Sequence, residues 1–470
     1  MPDLQLDTLD SYQRAAATSQ AARLAISAPA GSGKTRVLIE RVAWLVRSQA
    51  ARPKNILVLT FAKKAAREIA DRLAAQDPSK VDLALVQVRT FHAWALQLIR
   101  RSHTNVGHLI LEQEKHDLLW RIGCSLFADG RYRTVVQHVC QQENWSQPFL
   151  LRQLIDIQTR LTQSGVDLED PRLRLRAEQN QLARLVFAHL FNYQTMLKRH
   201  GASDFSLLVA SALRQRLVHP PSYQHVLVDE AQDAAANELA LIKKYCGRAE
   251  SRTWVGDPNQ SLYGWRGARG SIPDAGQQLQ LKYNYRSTAD IVRTVNRFLK
   301  QSSNAQLILP SRPSGLAVQV IAYARFGEDA LCSRLIAELL QQGFQQADIV
   351  ILARAHLPLD SLQQTRSRFP KVLLATVHAY KGLESPVVII INAAQNRFGF
   401  PAQSKGGVHP LISEFAGYDA VREERNIFYV ALTRARDRLV ICVPAEQPAP
   451  FTQPLTGKSV RRVTLARTYP

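Results

Sequence analysis

The stretch RLAISAPAGSGKTRV, residues 23–37, decides the fold. Its opening, RLAIS, is a short apolar run of strand character. SAPAGSGKT then packs small residues and glycines into a turn, and TRVLIERVAWLVRS returns to apolar residues at helical spacing. Strand, glycine-rich loop and helix in that order form the context in which backbone N–H groups converge on a phosphate. Ala30, Gly31, Ser32 and Gly33 form the loop, and its two glycines allow the close backbone approach. Lys34 adds a point charge at the β/γ oxygens, Thr35 can ligate Mg²⁺, and Arg36 follows in the first helical turn. Ala28 stands where such a loop usually opens on glycine. A glycine-rich helix start without a ligand is the competing reading, and the agreement of strand, loop and helix favours a nucleotide.

Working outward, NILVLTFA, AAREIADRLAAQ and ALVQVRTFHAWALQLIRR continue the alternation of strand and helix, which predicts a parallel α/β sheet. From about Ser102 to His200 strand patterns vanish. Runs such as KHDLLWRIGCSLFA and QNQLARLVFAHLFNYQTMLKRH predict an all-helical insertion. Strand logic returns at HVLVDEAQD and RTWVGDP. A second α/β region is expected from near Ser271, with LAVQVIAYA, ADIVILAR, KVLLATVHA, PVVIIINAA and RLVICVPA as its strands. The expected division is 1–103 with 204–270, the insertion 104–203, and 271–470. The tail after Pro444, rich in Pro and Thr, is expected to be loosely ordered.

Composition narrows the partner. The 470 residues carry a formal charge of +21, with lysines and arginines spread along the whole chain, so folded basic faces that meet a polyanion are expected. A uniformly solvated basic surface is the alternative. No apolar run is long enough to cross a bilayer, and the start lacks the order of a secretory signal, so a cytoplasmic protein without membrane contact is expected. The five cysteines are widely separated, lack metal-ligand spacing and read as buried thiols.

HVLVDEAQD supplies a second half to the phosphate loop. Val226 to Val228 bury a strand, and Asp229 and Glu230 emerge at its end. Asp229 would hold Mg²⁺ with Thr35, and Glu230 stands where a base could polarise an attacking water. Two adjacent acids alone more often mark a helix start. TWVGDPNQSLYGWRGARG, residues 253–270, then crowds Gln260, Tyr263, Trp265 and Arg266 onto one loop. Packing of those rings onto a neighbouring helix is the plain alternative for that segment alone.

With these segments in order, the chain resembles superfamily 1 DNA helicases of the UvrD/Rep/PcrA type over nearly its full length. LDSYQRAA resembles the family's Q motif, APAGSGKT motif I, LVLTFAKKAAREI motif Ia and VRTFHAWALQLI the next DNA-contacting motif. LVDEAQD resembles motif II, VGDPNQSLYGWRGA motif III, LKYNYRS motif IV, TVHAYKGLE motif V and EERNIFYVALTRARDRLVI motif VI. The resemblance implies an α/β fold of two RecA-like parallel-sheet domains, 1A and 2A, with the helical insertion as subdomain 1B.

Position by position, it implies that Gln13 reads the adenine edge, Tyr285 stacks on the base, Glu384 meets the ribose and Gln260 senses the γ-phosphate of ATP. Arg286 and Arg434 would act as arginine fingers, permanent forked cations that neutralise transition-state charge only when the cleft closes. Tyr263, Trp265 and Arg266 would hold single-stranded bases, with Phe61, His92 and His378 as further DNA contacts and Thr60 and Thr376 as phosphate donors. For Phe61 and His92 taken singly, core packing is the better reading.

Only about twenty residues, AHLPLDSLQQTRSRFPKVLLA, stand where larger relatives carry the helical subdomain 2B, so 2B is expected to be absent or minimal. No appended nuclease domain is expected beyond motif VI. The resemblance implies ATP-driven 3′-to-5′ movement on single-stranded DNA or at a single-strand/duplex junction, in repair, recombination or anti-phage defence. A nucleotide-gated DNA-binding subunit that recruits a partner nuclease or repair protein is the second reading, and an RNA-directed helicase the third.

Overall fold

The computed structural model describes residues 5–48, 50–76, 83–102, 107–166, 168–268, 270–273, 276–302, 305–324, 327–402, 411, 414 and 419–465, with Gln5 and Trp265 described in backbone only. In chain order the first strands are β1 (Arg23–Ser27), β2 (Ile56–Thr60), β3 (Gln87–Thr90), β4 (His108–Leu109), β5 (Ala202–Ser203), β6 (His225–Val228), β7 (Ser251–Gly256) and β8 (Gln277–Gln280). Then come β9 (Tyr283–Asn284), β10 (Leu309–Pro310), β11 (Val318–Tyr323), β12 (Ile349–Ala353), β13 (Leu373–Thr376), β14 (Ser385–Ile390), β15 (Ala435–Pro444) and β16 (Val460–Thr464).

Apolar runs build the sheets. β2 and β6 are buried at every position, as strands covered by helices on both faces must be. They lie in a six-stranded sheet of order β3-β2-β6-β7-β1-β8, and a second six-stranded sheet has the order β13-β12-β14-β15-β11-β16. All pairings in both are parallel. Two RecA-like lobes are therefore present, and in such sheets ligands gather beyond the carboxyl ends of the strands.

The N-terminal helix Ser11–Thr18 starts on a capping box formed by Asp10 and Gln13. Arg41, only 1% exposed, locks that helix to the sheet. Its guanidinium donates to the carbonyls of Ala16, Ala17 and Ser19 and to the Thr253 hydroxyl.

Five helices, from Glu112–Ala128 to Gln181–Arg199, form the insertion around their own apolar core. At its base β4 and β5 pair for two residues, the one strand pattern that the helical reading of this region did not contain. Lys115 reaches Asp204 there at 3.0 Å, with both side chains nearly fully buried.

Three further differences from the sequence reading have simple causes. β8 belongs to the first sheet, paired to β1, so that lobe extends beyond residue 270. The tail contributes β16 as an edge strand on β11, which shows order where looseness was expected. Cys124 is exposed and Cys140 half-buried on the amphipathic insertion helices, so only Cys246, Cys332 and Cys442 are buried thiols. Between β12 and β13 run only the short helices His356–Asp360 and Gln363–Arg368. Among the described residues no helix is long and apolar enough to cross a membrane.

Candidate active site between the two lobes

The loop after β1 adopts left-handed backbone at Gly31 (φ 74°) and Gly33 (φ 81°), which a side chain would strain. Space forbids one as well. A Cβ on Gly31 would fall 2.7 Å from Asn284 Nδ2 and 2.8 Å from Arg286 Cβ, and one on Gly33 would fall 2.7 Å from Gln13 Nε2. The loop is thus clasped from two sides. Gln13 Nε2 donates to the Ser32 carbonyl at 2.9 Å, Asn284 Nδ2 to the Ala30 carbonyl at 2.8 Å, and the Tyr285 N–H to the Gly31 carbonyl at 2.8 Å. Tyr285 keeps an exposed ring whose hydroxyl donates to Asp10, and the nearby Arg36 donates to the Thr8 hydroxyl.

Lys34 opens the helix Lys34–Arg47 and places Nζ 2.8 Å from Glu230 Oε2. Glu230 holds φ at 53°, a left-handed value that costs a non-glycine residue roughly 1–3 kcal/mol and aims its carboxylate at the loop. Burial alone would raise the Glu230 carboxyl. The charges of Lys34 and Lys381 and the hydrogen bonds from Lys34 and Gln232 outweigh it and hold the group well below the usual range. Asp229 behaves oppositely. Burial, then the Glu230 charge, pushes its carboxyl up to about 7.

Asp229 Oδ1 and the Ser32 hydroxyl are buried, and among the described residues neither has a hydrogen-bond partner. A buried carboxylate with one oxygen left unpartnered beside a phosphate loop is a good donor for a hard cation, so Asp229 with Thr35 fits Mg²⁺. Among the described residues no group of three or more His, Cys, Asp or Glu gathers as a metal site.

A continuous polar chain leaves this centre and crosses to the other lobe. Gln232 Nε2 donates to Glu230 at 2.6 Å, the Asp257 N–H to Gln232 Oε1 at 3.0 Å, and Gln260 Nε2 to Asp257 Oδ2 at 2.7 Å. Arg434 Nη2 then donates to Gln260 Oε1 at 3.1 Å. Arg434 is 1% exposed, and it also donates to the carbonyls of Val430 and Leu383 and to the Thr433 hydroxyl. Burial, then the neighbouring Arg286 charge, lowers its pKa to about 9. Tyr429 adds a hydroxyl bond to Asp257 at 3.1 Å, and Asn426 donates to the carbonyls of Pro258 and Ser261. Arg286 packs on the loop but turns its guanidinium to Glu384 at 2.5 Å and to the Thr433 carbonyl. Glu384 is therefore held by an arginine rather than left open.

The second set of expected residues lies at the carboxyl ends of the same sheets. Thr60 ends β2 and keeps a buried hydroxyl without a partner, while Thr376 ends β13 and accepts from the Ala379 N–H. Phe61 packs on Phe91 with ring centroids 5.0 Å apart, and His92 meets Phe205 edge-on, so both serve the core in part. Burial, then Arg266, lowers the His92 pKa; burial, then Arg354 and Lys381, lowers that of His378 to about 4. Tyr263 takes Arg266 over its ring at 5.4 Å and Lys381 at 4.7 Å. The side chain of Trp265 lies outside the described residues; its backbone sits in the short turn Gly264–Arg266.

Sequence reasoning did not single out Lys381, whose Nζ also reaches Asp233 Oδ2 at 2.5 Å, nor Gln232, Asp257, Asn284, Asn426 and Tyr429. Each lies inside a segment already of interest. Gln232 pairs within the first lobe; the pairings of the others cross the lobes, and linear spacing carries no signal of that.

Comparison with known proteins bears on the family. The UvrD/REP helicase N-terminal domain family matches residues 9–278, and the UvrD-like helicase C-terminal domain family matches residues 355–446. DNA helicase IV of Escherichia coli (strain K12) is 30% identical over 93% of this chain and 68% of its own length. The ATP-dependent DNA helicase PcrA of Staphylococcus aureus (strain Mu50) is 26% identical over 83% of this chain, and that of Staphylococcus epidermidis is 26% identical over 82%. The chain spans about half of each PcrA, 54%. A phosphate loop clasped by two parallel-sheet lobes, and a family match over more than half the sequence, lead to one assignment: the chain belongs to the UvrD/REP helicase family.

Proposed function

We propose that the chain is a DNA-dependent ATPase that moves 3′ to 5′ along single-stranded DNA, with helicase action at a single-strand/duplex junction. The polar chain from Lys34 through Glu230, Gln232, Asp257 and Gln260 to Arg434 carries this reading, because it ties phosphate chemistry in one lobe to a buried cation of the other.

In this reading Gln13, Arg36 and Tyr285 take the adenine base, Glu384 the ribose, and the backbone of Ala30 to Gly33 the phosphates. Thr35 and Asp229 would hold Mg²⁺, which when bound neutralises charge on the β- and γ-phosphate oxygens. Lys34 leaves Glu230 for the phosphates. The freed, ionised Glu230 carboxylate can then orient and polarise the attacking water. Arg286 and Arg434 supply forked cations to the transferring group, and Gln260, bonded to Arg434, reports its presence. The loop that carries Gln260 also carries Tyr263, Trp265 and Arg266. A shift set by phosphate occupancy therefore moves groups that grip bases by stacking, worth roughly 1–3 kcal/mol each. Phe61, His92 and His378, with the hydroxyls of Thr60 and Thr376, complete the proposed single-strand track.

Lys34→Ala is expected to abolish ATP hydrolysis while oligonucleotide binding survives; appreciable residual turnover overturns the assignment. The short connection between β12 and β13 favours a second reading, a nucleotide-gated DNA-binding subunit that serves a partner nuclease in repair, recombination or defence. A fork-unwinding assay on the purified chain separates the two.

A further inference from the structure

Beyond the cleft, the flank of the first lobe carries cations that the proposed chemistry does not use. The helix Phe91–Arg101 begins at the strand ends, next to His92, and runs away from them for about 16 Å at ~1.5 Å per residue. On its outer side lie two adjoining depressions that share Arg101. Arg89 and Arg100 complete one, and Arg216 and His219 the other.

Arg100, Arg101, Arg216 and His219 are exposed, whereas Arg89 is half-buried with Nε lacking a partner. Among the described residues none that lines either depression is acidic. Among the described residues none of these four arginines takes part in an ion pair, although many other arginines of the chain do. The helix dipole accounts for cations at 100 and 101, in the last turn. It does not account for Arg89, on the edge strand β3, or for Arg216, beyond the helix Phe205–Arg214.

Among the described residues the lining contains no Phe, Tyr or Trp. Single strands are usually held on stacking rings, whereas a duplex presents only phosphates to a flank of arginine forks. About 16 Å of such a flank spans roughly five phosphates of one strand at ~3.4 Å each. We propose that this flank is a second nucleic-acid contact, which takes the phosphate backbone of a duplex arm adjoining the strand in the cleft. The position of the arm rests on the proposed strand track; the contact itself does not.

The test uses the full chain and the variant Arg100→Gln/Arg101→Gln/Arg216→Gln, with three fluorescent nucleic-acid probes, a short single strand, the same strand joined to a duplex arm, and the duplex alone, and with fluorescent polyglutamate beside them. The variant is expected to bind the single strand as the wild type does and to keep its single-strand-stimulated ATP hydrolysis. Affinity for the armed probe and the duplex falls about 10-fold or more, and the slope of log affinity against log salt shrinks by about 2–3, at ~0.9 per lost duplex phosphate contact. Unchanged binding of the duplex probes with an unchanged slope overturns the proposal, as does equal weakening on all three. Loss of polyglutamate binding with no loss on duplex also overturns it and makes the flank a docking site for an acidic protein segment. A wild-type chain that ignores single strands, yet loses duplex affinity on substitution, sinks the cleft reading and leaves this one standing.

Discussion

His189 sits in the core of the helical insertion with no exposed surface, Nε2 2.9 Å from the Leu119 carbonyl and Nδ1 against the side-chain amide of Gln158. The Gln158 Oε1 atom faces Nδ1, and with that amide reversed, an assignment hydrogen-bond chemistry decides, a neutral ring fits: Nε2–H donates to the Leu119 carbonyl and Nδ1 accepts from the Gln158 amide nitrogen. Burial lowers the pKa to about 4, and the Leu119 carbonyl offsets it only in part. The unfolded ring titrates near 6.5, so between those values the unfolded chain binds more protons and stability falls as pH falls. At pH 5 the loss amounts to about 2 kcal/mol relative to pH 7. His189→Gln keeps a hydrogen-bonding group without a titrating one. In thermal melts at pH 7 and pH 5 the wild type is expected to lose more stability than the variant; matching losses would mean that the ring takes up protons alike in the folded and unfolded chain.

At the scale of elements, the joint between insertion and first lobe depends on a buried charge. Asp204 caps the helix Phe205–Arg214 by accepting from the Ser206 N–H, and it also accepts from the Tyr193 hydroxyl and pairs with Lys115. Lys115 belongs to the first insertion helix and Tyr193 to the last, so one carboxylate binds both to the lobe. Lys115→Met fills the space and leaves Asp204 charged and unpaired, a change that costs about 3–5 kcal/mol in comparable buried pairs. A lowered melting temperature with faster proteolysis within 107–203 is expected, and Lys115→Met/Asp204→Asn should recover much of the loss. Elements differ in how plainly the sequence announces them. β2 and β12 are buried throughout and read as apolar runs. β8 (QQLQ) and β16 (VRRVT) are edge strands held by backbone pairing, and their polar residues give no strand signal. The phosphate loop was equally plain because its strand, glycines and lysine are contiguous. Lys381 and Asp233 lie 148 residues apart, and only the folded molecule brings them together.

Across the whole molecule, the polar contacts that tie the second lobe to the first beside the nucleotide cleft include Arg434 with Gln260, Tyr429 with Asp257, Asn426 with the carbonyls of Pro258 and Ser261, and Lys381 with Asp233. These four end on the loops after β6 and β7, so lobe opening must break them together. Lys381 differs from the rest in facing both ways. Its ammonium pairs with Asp233, helps hold the Glu230 carboxyl ionised, and lies over the ring of Tyr263 on the proposed DNA side. A base stacked on Tyr263 would compete for that ring face, and the cation displaced from it would alter the field at Glu230. Lys381→Ala is therefore expected to cut single-strand-stimulated hydrolysis about 10-fold or more, the scale of losing one desolvated charge contact in the closed state, with basal hydrolysis changed about twofold. Lys381→Arg, which keeps the charge and the ring contact, should restore part of the stimulation. Turnover with and without saturating oligonucleotide measures both quantities, and an equal fall in the two would confine Lys381 to the phosphate chemistry and remove it from the coupling between lobes.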